Sequence, residues 1–322
     1  MSHSLKCFLV LFFAFLFASA TLAQFGRWRG NVGPIVTTEP KTMSGEGTWV
    51  DERTVRTARE VISHSTDMVQ WTNEPGFDHD VFTFARVIYT FGQTASNPRI
   101  SPTSSPWGWI TDFPDSDLNL SFRVQQMTSI RTSPEGRTLR LTYPELVDYP
   151  WIYVVEPGRM VLDEQEASIL RKYLLNGGFL MADDFWGQQQ WDNFEWNIKR
   201  ALPEFEFVEL PMDHPVFHCV FDIKVPKNKL QTPNVGLGVE SVTPGNPNFG
   251  ISWEDRHGEN SRDMHVRALF DDNGHMMIIA THNCDNGDGW EREGENDAFF
   301  HEYSEKRAFP LGINIIFYAM TH

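Results

Sequence analysis

Two continuous apolar runs, separated by an amphipathic segment, are the clearest feature in the pattern of hydrophobic and polar positions. Residues 151–155 (WIYVV) are β-branched or aromatic and end at the turn sequence Glu-Pro-Gly. Residues 179–182 (FLMA) form the second run and are followed directly by Asp183 and Asp184. Short apolar runs that stop at turn or polar residues are typical of strands buried on both faces. We therefore predict two buried strands whose carboxyl ends carry acidic side chains.

The segment between the two runs has the pattern of an amphipathic helix. Asp163 lies three residues before Glu166, which is the spacing of a capping box, and apolar residues then repeat on one face as far as residue 175. The sequence Asn-Gly-Gly at residues 176–178 ends the helix, because glycine tolerates the left-handed conformation of a helix C-terminus. A strand, a helix and a second strand of these lengths predict a right-handed crossover between parallel strands.

Acidic side chains at the ends of these strands are the first candidates for a functional site, since ligands of parallel sheets bind at the carboxyl edge. The candidates are Glu156, Asp183 and Asp184. Consecutive strand residues point to opposite faces, so we expect one of the two aspartates to face a ligand while the other braces a loop. Three close carboxylates repel one another. Either a metal or cationic ligand relieves this repulsion, or a structural ion network does so through Arg86, Arg123 or Arg159.

Weaker patterns predict the other elements of an α/β domain. We predict strands at residues 82–91, 205–210 and 216–225, and a hairpin of residues 266–271 and 276–281 around the turn sequence Asp-Asn-Gly. Residues 139–142 are expected to form either a short strand or an extended connector. We predict helices at residues 51–64, 116–130, 191–202 and 310–320. Residues 226–261 are expected to form loops with one hairpin. Together these elements predict a three-layer sandwich around a mostly parallel sheet.

The first 23 residues have the pattern of a cleaved secretory signal peptide. Lys6 is their only Lys or Arg, residues 8–17 are almost wholly apolar, and residues 21–23 offer small side chains to a signal peptidase. A retained anchor is the alternative, but the apolar run is shorter than the roughly 20 residues that span a bilayer. We therefore predict a secreted or periplasmic protein without a stable membrane span after cleavage. A linker with a short helix is expected at residues 24–79, and the main domain at residues 80–322.

The composition fits one folded domain and restricts its partners. The chain has 322 residues, of which 41% are hydrophobic and 13% aromatic, so it can bury a full core and is unlike a disordered protein. Its net charge of −16 repels nucleic acid and anionic membranes, although solubility alone also explains this charge. Cys219 and Cys284 remain after signal cleavage, and in an oxidising compartment they are a candidate disulfide pair.

Four further residues are candidates for ligand binding, each with a structural alternative: Asp112, Asp115, His214 and Trp186. The two acids precede a predicted helix and can cap it, a His-Pro sequence is typical of a rigid turn, and large aromatic side chains more often pack in a core than stack on sugars. Residues 283–291 (NCDNGDGWE) look like a calcium loop, but their acids lack the EF-hand spacing and turn formation explains them. The sequence contains no nucleophile turn, P-loop or dinucleotide-binding motif, so it assigns no catalytic residue or cofactor.

Several separate strings occur in a fixed order between residues 82 and 321, namely FARVIY, TDFPDSDLNLSFRVQQMTS, the unit from ELVDYPWIYVVEP to LNGGFLMADDFWG, DHPVFHCVFD, NCDNGDGW and LGINIIFYAMTH. In these strings the chain resembles a bacterial family known only as domain of unknown function 4159. The family looks related to the class I glutamine amidotransferases, which implies a flavodoxin-like three-layer fold. Amidotransferase activity is not implied, because no cysteine follows a strand in a nucleophile turn.

Three hypotheses for the function follow. The first is an exported, non-catalytic domain that binds an unidentified ligand or an envelope protein. The second is a hydrolase that uses carboxylates or a metal, including one that acts on carbohydrate, and the third is a structural role in an envelope complex. Acids from different segments that meet at one place would favour chemistry, whereas scattered acids would favour binding.

Overall fold

The computed structural model describes residues 41–43, 49–63, 69–76, 80–92, 108–254 and 260–322. The signal peptide predicted at residues 1–23 lies outside the described residues, as does much of the linker predicted at residues 24–79. The strands are β1 Lys41–Met43, β2 Trp49–Asp51, β3 Ala85–Val87, β4 Thr90–Phe91, β5 Arg137–Leu139, β6 Trp151–Val155, β7 Met160–Val161, β8 Phe179–Phe185, β9 Val208–Glu209, β10 His265–Phe270 and β11 Met276–His282. The α-helices are α1 Asp115–Met127, α2 Glu164–Leu175, α3 Gly187–Ala201, α4 Val235–Val242, α5 Asn286–Glu291, α6 Asp297–Phe299 and α7 Phe309–Thr321, and a π-helical stretch, Phe300–Ala308, joins the last two.

Within the described residues, seven strands form the central sheet in the order β5-β3-β6-β8-β11-β10-β9. The first five are parallel, and β10 runs antiparallel to both β11 and β9. If the parallel strands are numbered along the chain, their order in the sheet is 2-1-3-4-5, which is the flavodoxin-like arrangement. The predicted α/β fold, with a mostly parallel sheet between helical layers, is confirmed.

The crossover between β6 and β8 forms as its local sequence predicts. The carboxylate of Asp163 accepts a hydrogen bond from the Glu166 N–H, and the Glu166 carboxylate accepts one from the Asp163 N–H, which completes the capping box. Helix α2 ends at Asn176, and the two strands then pair in parallel with Trp151 opposite Phe179. The capping box at the start of α2 and its end at Asn176 therefore fix the length of the connection between β6 and β8.

A separate hydrophobic core covers each face of the sheet, because the side chains of its central strands alternate between the two. Ile152 and Val154 of β6 belong to one core, while Trp151, Tyr153 and Val155 belong to the other. Helices α2 and α3 contribute apolar side chains to the first core, and α7 contributes to the second. All of β6 is buried, as its continuous apolar run predicted.

The helix predicted at residues 51–64 is wrong within the described part of that segment. This part contains β2 and a single 3₁₀ turn, Ala58–Glu60. The Ala58 N–H donates to the Glu135 carbonyl at 2.8 Å, and the Thr138 N–H donates to the Arg56 carbonyl at 2.8 Å. Pairing with another segment thus replaces the helical hydrogen bonds, and Val55, Ala58 and Val61 are still buried in the core while Ile62 is exposed.

Two predictions between residues 205 and 261 are also wrong. Residues 216–225 contain no strand, because His214 accepts a hydrogen bond from the Val216 N–H and starts the 3₁₀ turn Pro215–Phe217. In the described part of residues 226–261, helix α4 replaces the expected hairpin, with Asn234 as its N-cap.

The long strand predicted at residues 82–91 is divided into β3 and β4. None of the helices in the described residues is long and apolar enough to span a membrane.

Candidate functional site

The carboxyl ends of β6, β8 and β11 lie side by side at one edge of the sheet. Strand β8 continues as far as Phe185, so Asp183 and Asp184 belong to the strand instead of following it. The pairing with β11 shifts register here, because Thr281 lies opposite Asp183 while the next residue, His282, lies opposite Phe185. Asp184 is therefore the extra residue of a bulge, and it adopts a left-handed conformation with φ 54°.

Asp183 braces the loop that follows β11. Its carboxylate accepts hydrogen bonds from the Asn286 N–H at 3.0 Å, the Asn286 Nδ2 at 2.7 Å and the Gly287 N–H at 3.1 Å. The hydroxyls of Thr281 and Tyr153 also donate to it. Burial raises the pKa of Asp183 to about 6, while these hydrogen bonds act in the opposite direction. One member of the aspartate pair thus has the bracing role that strand alternation predicted.

Asp112 reaches the same edge from the loop before α1. The Arg86 guanidinium on β3 forms a buried ion pair with Asp117 and donates to the carbonyls of Trp109 at 3.0 Å and Thr111 at 2.7 Å. These bonds hold the loop on both sides of the Asp112 backbone, which has φ 61°. Arg86 is therefore a positioning residue for Asp112.

Asp285 and Asp288 come from the loop and short helix that follow β11. Asp285 caps α5 by accepting a hydrogen bond from the Asp288 N–H at 2.8 Å, and the Asp288 carboxylate accepts one from the Val235 N–H. Each of Asp112, Asp285 and Asp288 offers a carboxylate oxygen, and these three oxygens lie within 4.8 Å of one another. We call these three residues the aspartate triad.

The carboxylate of Asp112 has no hydrogen-bond partner in the part of the chain that the structure describes. Asp112 is 7% exposed, and its Oδ2 is buried without a donor. Gly287 makes this position available, because a Cβ at residue 287 would lie 1.8 Å from Asp112 Oδ2. The carboxylate therefore fits against bare backbone and faces the other two members of the triad.

Further acids surround the triad and disturb its titration. Burial, followed by repulsion from Asp288, raises the pKa of Asp112 well above its usual value. Burial, followed by Glu156, raises the pKa of Asp184, and Glu254 acts in the same direction. Burial and then Asp184 raise the pKa of Asp285. The acidic cluster, by which we mean the triad with Glu156, Asp184 and Glu254, is thus a region in which close carboxylates repel one another.

The arginines expected to balance this charge have other partners. Arg86 pairs with Asp117, and Arg123 pairs with Glu293. Arg159 packs over the Phe91 ring with its guanidinium carbon 5.7 Å from the ring centroid. Arg86 nevertheless acts on the cluster from its pair with Asp117, because its charge lowers the pKa of Asp112 against the effects of burial and Asp288.

Arg292 is the cation that contacts the triad within the described residues. Its Nε lies 3.5 Å from Asp288 Oδ1 and 2.9 Å from Glu291 Oε2, and its Nη1 lies 3.3 Å from Glu295 Oε1. One positive charge is therefore shared among three acids, and only one of these belongs to the triad. The charge of Arg292, like that of Arg86, also lowers the pKa of Asp112, but burial and Asp288 outweigh both.

Backbone strain is concentrated at the same edge. Non-glycine residues with positive φ include Asp112 before α1, Glu156 after β6, Asp184 within β8 and Asn283 after β11. Aspartate and asparagine tolerate this conformation better than other residues, and glutamate does so less well. Strained conformations that persist at one place in a fold are a feature of functional sites.

Three sequence candidates do not contribute a carboxylate or a ring to the triad. Asp115 accepts a hydrogen bond from the Ser63 hydroxyl. The His214 ring packs against Tyr318 with centroids 5.4 Å apart, as part of the turn that it caps. Trp186 is 2% exposed, and its Nε1 donates to Asp184 Oδ1 at 3.0 Å, so it supports the cluster from within the core and offers no stacking surface.

The candidate disulfide between Cys219 and Cys284 does not form, and both thiols are free. Cys284 follows β11, where its sulfur accepts a hydrogen bond from the Thr232 N–H at 3.3 Å. The Cys219 thiol donates to the Asn314 carbonyl in α7 at 3.2 Å. Burial raises the pKa of both thiols, so neither has the setting of an activated nucleophile.

Of the acids that form the cluster, the sequence missed Asp285, Asp288 and Glu254 as candidates. Residues 283–291 resemble a calcium loop, but the spacing of their acids fits no EF-hand. These residues directly follow a buried strand, and this position predicts that their acids lie at the same edge as Glu156 and Asp184.

The fold and this cluster define an α/β protein of flavodoxin-like strand order with a buried acidic site at the carboxyl edge of its sheet. The family described as "Domain of unknown function (DUF4159)" matches residues 83–320, and the chain belongs to this family. The match includes the whole aspartate triad and the parallel strands that position it. A search of curated proteins found no match to the chain.

Proposed function

We propose that this chain is an exported ligand-binding domain that takes a positively charged ligand at its acidic cluster. The observation that carries the proposal is the carboxylate of Asp112, which is buried opposite Asp285 and Asp288 and accepts no hydrogen bond in the described structure. A buried carboxylate without a partner costs several kcal/mol unless it is neutralised or paired. A bound cation supplies the missing partner.

The proposal that the protein is exported rests on the sequence of residues 1–23. Their single basic residue, apolar run and small-residue end are those of a secretory signal. Mass spectrometry of the protein recovered from its native host tests this part of the proposal, and a mature chain that begins at or near Gln24 is expected. An intact residue 1–23 segment on a membrane-bound form would contradict it.

A metal-dependent hydrolase is the second candidate, and one observation favours it. The acids of the cluster come from five separate segments, which follow β6, precede α1, belong to β8, follow β11 and follow α4, and such convergence is typical of sites that carry chemistry. Asp183, whose pKa burial raises to about 6, does not suit the role of general base. Its carboxylate already accepts hydrogen bonds from Thr281, Asn286 and Gly287. We therefore place binding first.

Thermal unfolding of the purified chain with a panel of cations tests the binding proposal. The panel contains CaCl₂, MgCl₂, ZnCl₂, spermidine and arginine at constant ionic strength, each compared with NaCl. We expect at least one cation to raise the melting temperature of the wild type and to have a much smaller effect on Asp112→Asn. Equal effects on both proteins for every cation would contradict the proposal, because screening of surface charge needs no Asp112.

Activity assays on the same samples distinguish the hydrolase from the binding domain. Chromogenic esters, phosphate esters and glycosides are incubated with the chain in the presence of the cation that stabilises it. Turnover that disappears in Asp112→Asn would favour the hydrolase, and cation binding without turnover of any of these substrates would favour the binding domain.

A further inference from the structure

We infer that the ligand of the aspartate triad is a divalent cation that prefers oxygen ligands, with Ca²⁺ as the ion that fits best. This inference rests on the proposed function and specifies the chemistry of its ligand. The three donors that converge are carboxylates from Asp112, Asp285 and Asp288. Hard oxygen donors favour Ca²⁺, Mg²⁺ and Mn²⁺ over the ions that prefer imidazole or thiolate ligands.

The spacing of the donors suits Ca²⁺. The three carboxylate oxygens lie within 4.8 Å of one another. Two oxygens on opposite sides of Ca²⁺, each at about 2.3–2.6 Å, are roughly 4.6–5.2 Å apart, and other pairs are closer. Mg²⁺ demands a near-ideal octahedron of oxygens at about 2.0–2.1 Å, whereas Ca²⁺ accepts about six to eight oxygens in flexible geometry. Three carboxylates whose positions the fold sets therefore suit Ca²⁺ better than Mg²⁺.

Asp112 supplies a second observation that is independent of the acidic composition. It comes from a different segment than Asp285 and Asp288, and its carboxylate is more than nine-tenths buried with an unpartnered Oδ2. Arg86 fixes the loop before it through the Trp109 and Thr111 carbonyls and the helix after it through the ion pair with Asp117. The fold thus places an unpaired anionic ligand against two others and holds it there.

Gly287 gives the site a steric requirement that can be tested separately from charge. A Cβ at residue 287 would meet Asp112 Oδ2 at 1.8 Å, which is far below any normal contact. Gly287 does not have a positive φ, so alanine is compatible with its backbone. Gly287→Ala should therefore displace the Asp112 carboxylate from the triad and leave the net charge of the chain unchanged.

Equilibrium dialysis with ⁴⁵Ca²⁺ on the purified full chain tests the inference after EDTA treatment and removal of the chelator. We expect one Ca²⁺ per chain, at least a tenfold weaker affinity in Asp112→Asn, and a similar loss in Gly287→Ala. Asp115→Asn is the matched control, because it removes a buried aspartate three residues away that pairs with Ser63 and lies outside the triad. Its affinity should stay within about twofold of the wild type.

Circular dichroism and melting temperature in EDTA establish that each variant is folded before its affinity is interpreted. Absence of saturable Ca²⁺ binding at millimolar concentration would overturn the inference, as would Ca²⁺ affinities of Asp112→Asn and Gly287→Ala equal to that of the wild type. If only spermidine, arginine or Zn²⁺ binds in an Asp112-dependent way, the inference fails while the proposed function stands. If no cation binds in that way, both fail.

Discussion

At the scale of single residues, three aspartates at one sheet edge have different roles because their neighbours differ. Asp183 is fully buried and accepts hydrogen bonds from the loop after β11. Asp184, the next residue, is turned by a bulge toward Glu156 and the triad. Asp112 has no hydrogen-bond partner in the described structure. The same carboxylate therefore stabilises the fold at one position and opposes folding at another.

Asp183→Asn should destabilise the protein strongly. An asparagine presents an NH₂ group to donors that now face a carboxylate oxygen, so at least one buried N–H or O–H loses its acceptor. We expect the free energy of unfolding in urea to fall by about 2–4 kcal/mol. A change of less than about 0.5 kcal/mol would show that Asp183 does not brace the loop.

Asp112→Asn should have the opposite effect when no divalent cation is present. The substitution removes a buried charge that has no partner and lies close to Asp285 and Asp288. We expect the free energy of unfolding at pH 8 in EDTA to rise by about 1 kcal/mol. Asp115→Asn, which loses a hydrogen bond from Ser63, should lower it, and a loss of stability in both variants would contradict this prediction.

At the scale of elements, the end of β11 combines a structural histidine with the loop of the site. His282 is 1% exposed, its Nε2 donates to the Gly187 carbonyl at 3.0 Å, and its ring packs against Phe185 and Trp191. Burial lowers the pKa of His282 to about 3. The imidazole is therefore neutral in the folded protein at pH values where the unfolded chain takes up a proton.

In His282→Gln, the free energy of unfolding should fall less steeply than in the wild type as the pH is lowered. The folded pKa lies below the unfolded value of about 6.5, so the contribution of His282 is present above that pH and is lost as the pH falls, by about 1.4 kcal/mol per pH unit. The glutamine amide can still donate to Gly187. We expect the wild-type advantage over the variant to shrink by roughly 2.7 kcal/mol between pH 7.5 and pH 4.5 in urea unfolding.

His275→Gln is the control for this experiment, because His275 lies exposed in the turn between β10 and β11. Asp183 affects wild type and variants alike: its raised folded pKa of about 6 makes stability fall as the pH rises through that value. The contribution of Asp183 therefore cancels when the free energies of unfolding of wild type and variant are compared at the same pH. A constant difference between wild type and His282→Gln at all pH values would refute the prediction.

At the scale of the whole molecule, the fold has no covalent crosslink between Cys219 and Cys284. Its stability comes from two cores, one on each face of the sheet, whose side chains alternate along β6 and β8. The fold keeps Cys219 and Cys284 as free thiols, so its folding does not depend on a bond between them.

Thiol labelling of the denatured, unreduced protein checks this arrangement. We expect both Cys219 and Cys284 to react with iodoacetamide after denaturation, while in the native protein the buried Cys284 stays protected and Cys219 reacts slowly. Replacement of both with serine should leave cation binding unchanged. A mass that shows a bridged pair before reduction would disprove the prediction.

The sequence by itself determined the elements whose signals are local. The apolar run of β6, the capping box of α2 and the apolar pattern of α7 specify hydrogen bonding and burial within a few residues, and these elements formed as predicted. The general behaviour of parallel sheets also placed Glu156 and Asp184 at the carboxyl edge. The family resemblance agreed with this fold and is confirmed over residues 83–320.

Only the tertiary structure decided which acids meet. Asp112 reaches Asp285 and Asp288 because Arg86 holds its loop and because β11 lies beside β8, and neither relation follows from local spacing. Tertiary pairing also overrode the helical pattern around Ala58, whose N–H donates to Glu135 instead of continuing a helix. Local patterns encode the preferences of a segment, whereas proximity between distant segments depends on strand order and loop paths, which the whole fold determines.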